Sequence, residues 1–293
     1  MKTSKLFLLT VTAILMLPSC KTGENGNKSG SDEPWKWGKQ KEEVEKDKVF
    51  YPKAEKTFRI VSYNVGAFSK YMTNSTDMVA AMLKEIKTDV AALNELDSCN
   101  SRHNVNQVAA LAASLGGWKW YFGRAMPYKG GAYGNGVVVP KDVQILDSYV
   151  VPLPKGTGSE PRSIAVVETN RYVIGAAHLD YSTEEAALGQ AAVVNAWVQE
   201  KYKGNKKPVF FCGDMNSRPG SAPITALKSV WNVLSSSEMT VPSTAPTSCI
   251  DFVFLYKDAA QVKTMGAHTM TLFHNGDVTK ASDHLPIYVD VQF

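Results

Sequence analysis

From position 57 to the end, short apolar runs alternate with longer amphipathic ones, and polar clusters separate them. Runs rich in β-branched and aromatic residues predict strands at 57–64 (TFRIVSYN), 89–95 (DVAALNE), 118–123 and 134–139. Further strands are predicted at 143–151, 163–168, 172–178 (YVIGAAH), 208–214 (PVFFCGD), 250–256 (IDFVFLY) and 287–293. Helical spacing predicts helices at 76–87, with Thr76 or Asp77 as cap, and at 104–116, ended by Gly116. Two more are predicted at 183–202 and 222–234. There are no repeats and no second linker inside this region. Interleaved strands and helices imply a single α/β domain over 57–293.

The first 56 residues have a different texture. MKTSK is a basic start, and the apolar run LFLLTVTAILML is too short to span a bilayer with ease. This is the pattern of a secretory signal, and its ending Leu17-Pro18-Ser19-Cys20 resembles the bacterial lipoprotein cleavage box. The resemblance implies a signal peptide over 1–19 and lipidation of Cys20, although proline at that place in the box is less usual. A lipid-anchored protein of the bacterial cell envelope, on the outer membrane or cell surface, is therefore expected, with the membrane reached through the anchor. Residues 20–56, rich in Lys, Glu, Gly, Asn and Ser, read as a flexible tether broken only by Trp35-Lys36-Trp37.

Charge follows the same division. Residues 1–56 hold 11 lysines and 8 acidic groups out of the chain's 32 basic and 28 acidic residues, leaving 21 and 20 for the domain. The excess of positive charge thus belongs to the signal and tether, and the domain carries no electrostatic footprint of a nucleic-acid binder. A monomer is expected. The cysteines left after Cys20, namely Cys99, Cys212 and Cys249, are odd in number, so they form no disulfide framework. Apolar neighbours suggest that they are buried, and Cys212 and Cys249 could pair in an oxidising compartment.

What carries chemistry is where the apolar strands stop. RIVSY ends on Asn64, VAALN on Glu95, YVIGAA on His178, and VFFCG on Asp214 followed by Asn216. Asp251 opens IDFVFLY, and Ser282-Asp283-His284 precedes LPIYVDV. A single such ending is ordinary turn chemistry; six together suggest a shared rim at the strand ends, where α/β sheets place their sites. Oxygen donors suit Mg²⁺ or Mn²⁺, and no Cys/His cluster exists for zinc. The absence of GxSxG makes a serine hydrolase a poor fit. A hard metal with histidines points to attack of water on phosphorus.

The segments SYNV, LNELD, YGNGVVV, EPR, AAHLD, GDMNSRP, CIDFVF and SDHLPI, in this order, resemble the endonuclease/exonuclease/phosphatase superfamily over about 57–293. GDMN and SDHLPI at this spacing are specific; SYNV and YGNG alone are weak. The resemblance implies a four-layer α/β sandwich, two packed mixed β-sheets flanked by helices. It implies that Glu95 is the main metal ligand, with Asn64 and Asp283 at or beside the metal. Asp214 with Asn216 would orient or deprotonate water, and Asp251 would hold His284 in the tautomer that contacts phosphate. His178 would stabilise phosphoryl oxygens or assist the leaving group, and Arg162 would contact phosphate. Where deoxyribonuclease-type members have a glutamate supporting the first histidine, this chain has Asn135, which argues against that identity. His103, His268 and His274 match no motif. The expected activity is Mg²⁺-dependent hydrolysis of a phosphate ester, small or lipid-borne. A nuclease acting on DNA or RNA and an inactive binding lipoprotein are the alternatives.

Overall fold

A computed structural model of the chain describes residues 48–293; the signal, Cys20 and Trp35-Lys36-Trp37 lie outside the described residues. The strands are β1 (Phe58–Asn64), β2 (Val90–Ser98), β3 (Lys119–Tyr128), β4 (Gly131–Val139), β5 (Ile145–Leu153) and β6 (Arg162–Thr169). They continue with β7 (Val173–His178), β8 (Val209–Asp214), β9 (Trp231–Val233), β10 (Asp251–Tyr256), β11 (Lys263–Thr269) and β12 (Ile287–Gln292). The helices are α1 (Thr76–Glu85), α2 (Gln107–Ser114), α3 (Glu184–Tyr202), α4 (Ala222–Val230) and the short α5 (Val278–Ala281).

Two six-stranded sheets result, with strand orders β11-β12-β1-β2-β4-β3 and β5-β6-β7-β8-β10-β9. Each is mixed: β1 runs parallel to β2, and β7 parallel to β8, among antiparallel neighbours. The period-two rule sorts their side chains into layers. Phe58 and Ile60 of β1, Val90 and Ala92 of β2, Ile174 and Ala176 of β7, and Phe210 and Cys212 of β8 fill the core between the sheets. Their alternates face outward. Val61, Tyr63, Ala91 and Leu93 pack with α1 and α2, while Val173, Val209 and Phe211 pack with α3 and α4. Both faces of the central strands are dry, which is why their sequences read as unbroken apolar runs. This is the four-layer sandwich expected from the sequence.

Several local features differ from expectation, each for a packing reason. The predicted helix 222–234 ends at Val230, because Trp231 is buried and pairs opposite Tyr256 as strand β9. Strand β11 carries no apolar pattern, being an edge strand with exposed Lys263, Thr264 and Met265. Residues 48–56, grouped by composition with the tether, lie against the domain. Arg59, fully buried, donates to Asp290 and to the Tyr51 carbonyl, and the Tyr51 hydroxyl accepts from Thr271 N at 2.7 Å. The Phe50 ring stacks on His274 at a centroid distance of 4.5 Å. Averaged composition hid these two aromatic anchors. Cys212 and Cys249 are both free and belong to cores on opposite sides of the second sheet, while Cys99 is exposed in the turn after β2 rather than buried. No helix among the described residues is long and apolar enough to cross a membrane.

Candidate active site

The inward register of the strands leads directly to the polar rim. Counting by two from the inter-sheet residues Ile60, Ala92, Ala176, Cys212 and Val253 arrives at Asn64, Asn94, His178, Asp214 and Asp251. One end of the dry inter-sheet core therefore finishes in a layer of polar side chains, and all five are buried. Burial forces them to find partners among themselves.

Asp214 is the hub. Its Oδ2 accepts from Asn64 Nδ2 at 3.1 Å and lies 3.4 Å from His178 Nε2 and 3.5 Å from His284 Nε2. Its Oδ1 accepts from Asn216 N at 2.8 Å, a turn made by the left-handed Asn216 at φ 47°. GDMN is thus a turn and part of the rim at once: the turn sets the carboxylate. Gly213 is required by close approach. With φ 141°, a Cβ there would sit 1.8 Å from the Ala177 carbonyl oxygen of the neighbouring strand. Burial raises the Asp214 pKa to about 7, with Asp251 adding to the rise and His284 opposing it.

His284 is held by Asp251, whose Oδ2 lies 2.9 Å from Nδ1. Asp251 pairs opposite Asp214 across β10 and β8, so the two carboxylates bracket the imidazole. Burial disfavours the imidazolium, but Asp251 and Asp214 outweigh it and raise the His284 pKa to about 10. His178 is the opposite case. Burial, then Arg162 and His284, push its pKa well below the ordinary histidine value. Arg162 Nη1 lies 3.3 Å from Nδ1, so a proton on that nitrogen would meet a donor, while Nε2 faces Asn216 Nδ2 at 2.8 Å and Asp214 Oδ2 at 3.4 Å. The two buried histidines are thus pushed in opposite directions, His284 toward the charged form and His178 toward the neutral one.

Arg162, at the start of β6, is 3% exposed and leaves its Nε buried without a partner. Among the described residues its other nitrogens reach His178 and, at 3.3 Å, Glu160, and the guanidinium lies 5.9 Å from the centre of the Tyr181 ring. A buried guanidinium with an unused donor is poised for an anion.

Glu95 reaches the rim by a different route. Counting from Leu93 would turn it outward, but the β2–β4 register shifts between Leu93 and Leu96, and Glu95 takes φ 59°. The bulge re-aims the side chain, a common use of bulges beside sites. Glu95 Oε1 then accepts from Asn64 Nδ2 at 3.1 Å and stays half exposed. Asp283 is also half exposed and pairs with Lys70.

Asn94 was not singled out by sequence reasoning, although the period-two count identifies it. Its amide links the sheets, donating to Ala177 O at 2.8 Å and accepting from Asp214 N at 3.1 Å. Asn135 belongs to the same girder: its Oδ1 accepts from Asn94 at 2.9 Å and its Nδ2 donates to Ser163 O at 2.9 Å. Both its polar atoms are committed inside the protein, and Arg162 occupies the place beside His178 Nδ1. Two aspartates brace the loops beyond the rim by one repeated device. Asp97 N donates to Gln107 Oε1 at 2.8 Å, and Asp180 N donates to Gln190 Oε1 at 2.8 Å, ten residues along in both cases. The Asp97 carboxylate then grips Arg102 and His103, and the Asp180 carboxylate grips Ser159 and Ser182.

Which residues fit a metal is a matter of donor chemistry. Asp214, Asp251 and His284 are compact enough to hold a cation. However, His284 Nδ1 carries the proton shared with Asp251, which suits a proton-holding unit better than a metal cage. Glu95 and Asp283 offer half-exposed oxygens, the donor type for a hard divalent ion, whereas the fully buried Asn64 turns its Nδ2 to Glu95 and Asp214 and its Oδ1 accepts from Gly66 N at 3.1 Å.

Residues 61–284 match the family described as Endonuclease/Exonuclease/phosphatase family. No curated protein sequence matches the chain. Among solved structures, it resembles a Bacteroides thetaiotaomicron mannosyl-6-phosphatase, with TM-score 0.66 and 17% identity over 80% of this chain and 100% of that one. It also resembles the human Nocturnin catalytic domain with bound sulfate, with TM-score 0.62 and 18% identity over 81% and 93% of the two chains. A humanized D. rerio TDP2 gives 0.60 and 19% identity over 82% and 100%. At these identities the likeness is one of fold.

Proposed function

Because the chain belongs to the endonuclease/exonuclease/phosphatase family, whose members are phosphoesterases that depend on a divalent metal, we propose that it hydrolyses a phosphate ester by attack of water on phosphorus. The observation that carries the reading is the Asp214 hub, a buried carboxylate raised to about 7 and flanked by one neutral and one charged histidine. A base with that pKa is matched to taking a proton from water at neutral pH. Asn216 and Asn64 hold the carboxylate in place. The His284 imidazolium and the unused Arg162 donor supply positive charge for phosphoryl oxygens, where it develops in the transition state. His178, kept neutral, adds a hydrogen bond without competing for the proton. Glu95 and Asp283, with Asn64 beside them, would hold Mg²⁺, and the ion would supply Lewis-acid stabilisation of phosphoryl and leaving-group charge.

The substrate we favour is small or lipid-borne, such as a sugar phosphate, an inositol phosphate or a phospholipid headgroup. Support comes from the near-neutral domain, with 21 basic and 20 acidic groups in 57–293. A duplex binder needs several clustered cations and loses affinity steeply with salt. The deciding experiment compares sugar phosphates, headgroup phosphodiesters and plasmid DNA at fixed Mg²⁺ across a salt series. Turnover of the small esters with little salt dependence is expected. Efficient DNA cleavage that collapses as salt rises would make the protein a nuclease instead, and no turnover of any ester would leave the binding-lipoprotein alternative.

We also propose anchoring through Cys20. Cys20→Ser should release the protein from membranes or block its processing; unchanged partitioning at normal mature size would rule the anchor out.

A further inference from the structure

Just after Asn64 the backbone adopts an unfavourable shape. Gly66, Ala67 and Phe68 have φ of 53°, 53° and 52°, the left-handed region that residues with a Cβ avoid. Gly66 adopts it freely, but Ala67 and Phe68 carry a Cβ, and strain of this kind persists where surrounding structure and function hold it. The turn is pinned on both sides. Phe68 is buried in the outer core, Gln107 donates to the Ala67 carbonyl at 2.6 Å, and Ser75 N donates to Phe68 O at 2.7 Å.

What the turn achieves is a close approach. A Cβ on Gly66 would lie 3.0 Å from Lys70 Cβ, 3.3 Å from Ser282 Oγ and 3.4 Å from Asp283 Oδ1. Lys70 is thereby laid over the Ser282-Asp283-His284 segment, and its Nζ meets Asp283 Oδ2 at 2.7 Å. Glu95 is near enough to add to the field on the same ammonium. A monovalent cation of the protein's own thus stands at the oxygen edge where a divalent one would be held. The Lys70 side chain is 45% exposed, so its flexible stem can carry the charge out to water.

We propose that Lys70 is a built-in counter-cation of the metal site, neutralising Asp283 while no metal is bound and competing with the divalent ion for that carboxylate. The inference rests on the oxygen-ligated metal proposed above. It makes the site's affinity lower than its ligands alone would give, so that occupancy follows the ambient concentration of the ion.

Calorimetric titration of Mg²⁺ and Mn²⁺ into the purified full chain tests this without any substrate. Lys70→Met should bind roughly two- to fivefold tighter than wild type, the scale of a partly exposed ion pair. Lys70→Arg keeps the charge and should stay close to wild type. Equal or weaker binding by Lys70→Met, in a protein whose wild type binds metal, would overturn the competition alone. Failure of both proteins to bind either ion would remove the metal reading and this proposal together.

Discussion

Asp251 Oδ2 accepts from His284 Nδ1 at 2.9 Å, while Oδ1 of the same carboxylate is buried with no partner among the described residues. The asymmetry turns His284 Nε2 toward Asp214, 3.5 Å from its Oδ2. The pair should therefore behave as one unit. His284→Ala is expected to lower kcat/KM for a phosphate ester by about 10²–10⁴-fold. Adding Asp251→Asn should cost little more, because the carboxylate acts through the ring. Steady-state kinetics on the two single variants and the double variant measure this. Losses that simply add would give Asp251 a separate job.

Titration of the same ring has a direction that can be checked. His284 is raised to about 10 in the folded protein, above its ordinary value, so its stabilising contribution is complete below about 6.5 and is lost as pH climbs through about 10. The stability gap between wild type and His284→Gln, read from urea unfolding, should shrink over that window. Activity should show an alkaline limb, and Asp251→Asn should move it to lower pH. Asp214, raised to about 7, sets the acid limb, since its base form is depleted below that point. A flat profile between these limits and beyond would disconnect both groups from the chemistry.

Asn94 contacts both the Asn135 amide and the second sheet, and it receives the Asp214 backbone N–H. Asn94→Ala leaves buried polar groups unpaired, at about 1–3 kcal/mol for each. A lower urea midpoint with an unchanged slope is expected, together with reduced kcat, because the Asp214 backbone loses its tie. If stability and kcat both stay at wild-type values, the girder has no energetic role.

Arg162 should show itself through product inhibition. Arg162→Ala removes the buried guanidinium with the free Nε, and Arg162→Lys replaces a planar fork with a point charge. Both should weaken inhibition by inorganic phosphate, by roughly tenfold or more for alanine, the scale of a charge-assisted hydrogen bond. Phosphate binding equal to wild type in both variants would make Arg162 a partner of Glu160 and His178 only.

Much of this architecture is legible in the chain because the central strands are dry on both faces. VFFCG and VAAL can hardly be anything but strands between two layers, and their polar endings mark the rim. Asn94 is harder to read because the charged Glu95 stands next to it at the same strand end. Parity alone, counted from Val90 and Ala92, assigns the inward position to Asn94, and only the bulge between Leu93 and Leu96 returns Glu95 to the rim. No local signal announces that bulge. Strand β11 was invisible for a related reason: its residues are half exposed, and its pairing with β12 supplies the order that its composition lacks. Trp231 shows the converse, a helical pattern cut short by a buried ring that packs against Trp197 and Phe211.

The girder of Asn64, Asn94 and Asn135 has a consequence for substitution elsewhere. These amides and Asp214 span the two sheets, so the polar rim is tied to the packed core between them. The loops braced by Asp97 and Asp180 lie outside that frame, each secured by its own aspartate and helix glutamine. Side chains in those two loops can therefore be exchanged while the ties that set Asp214 stay in place.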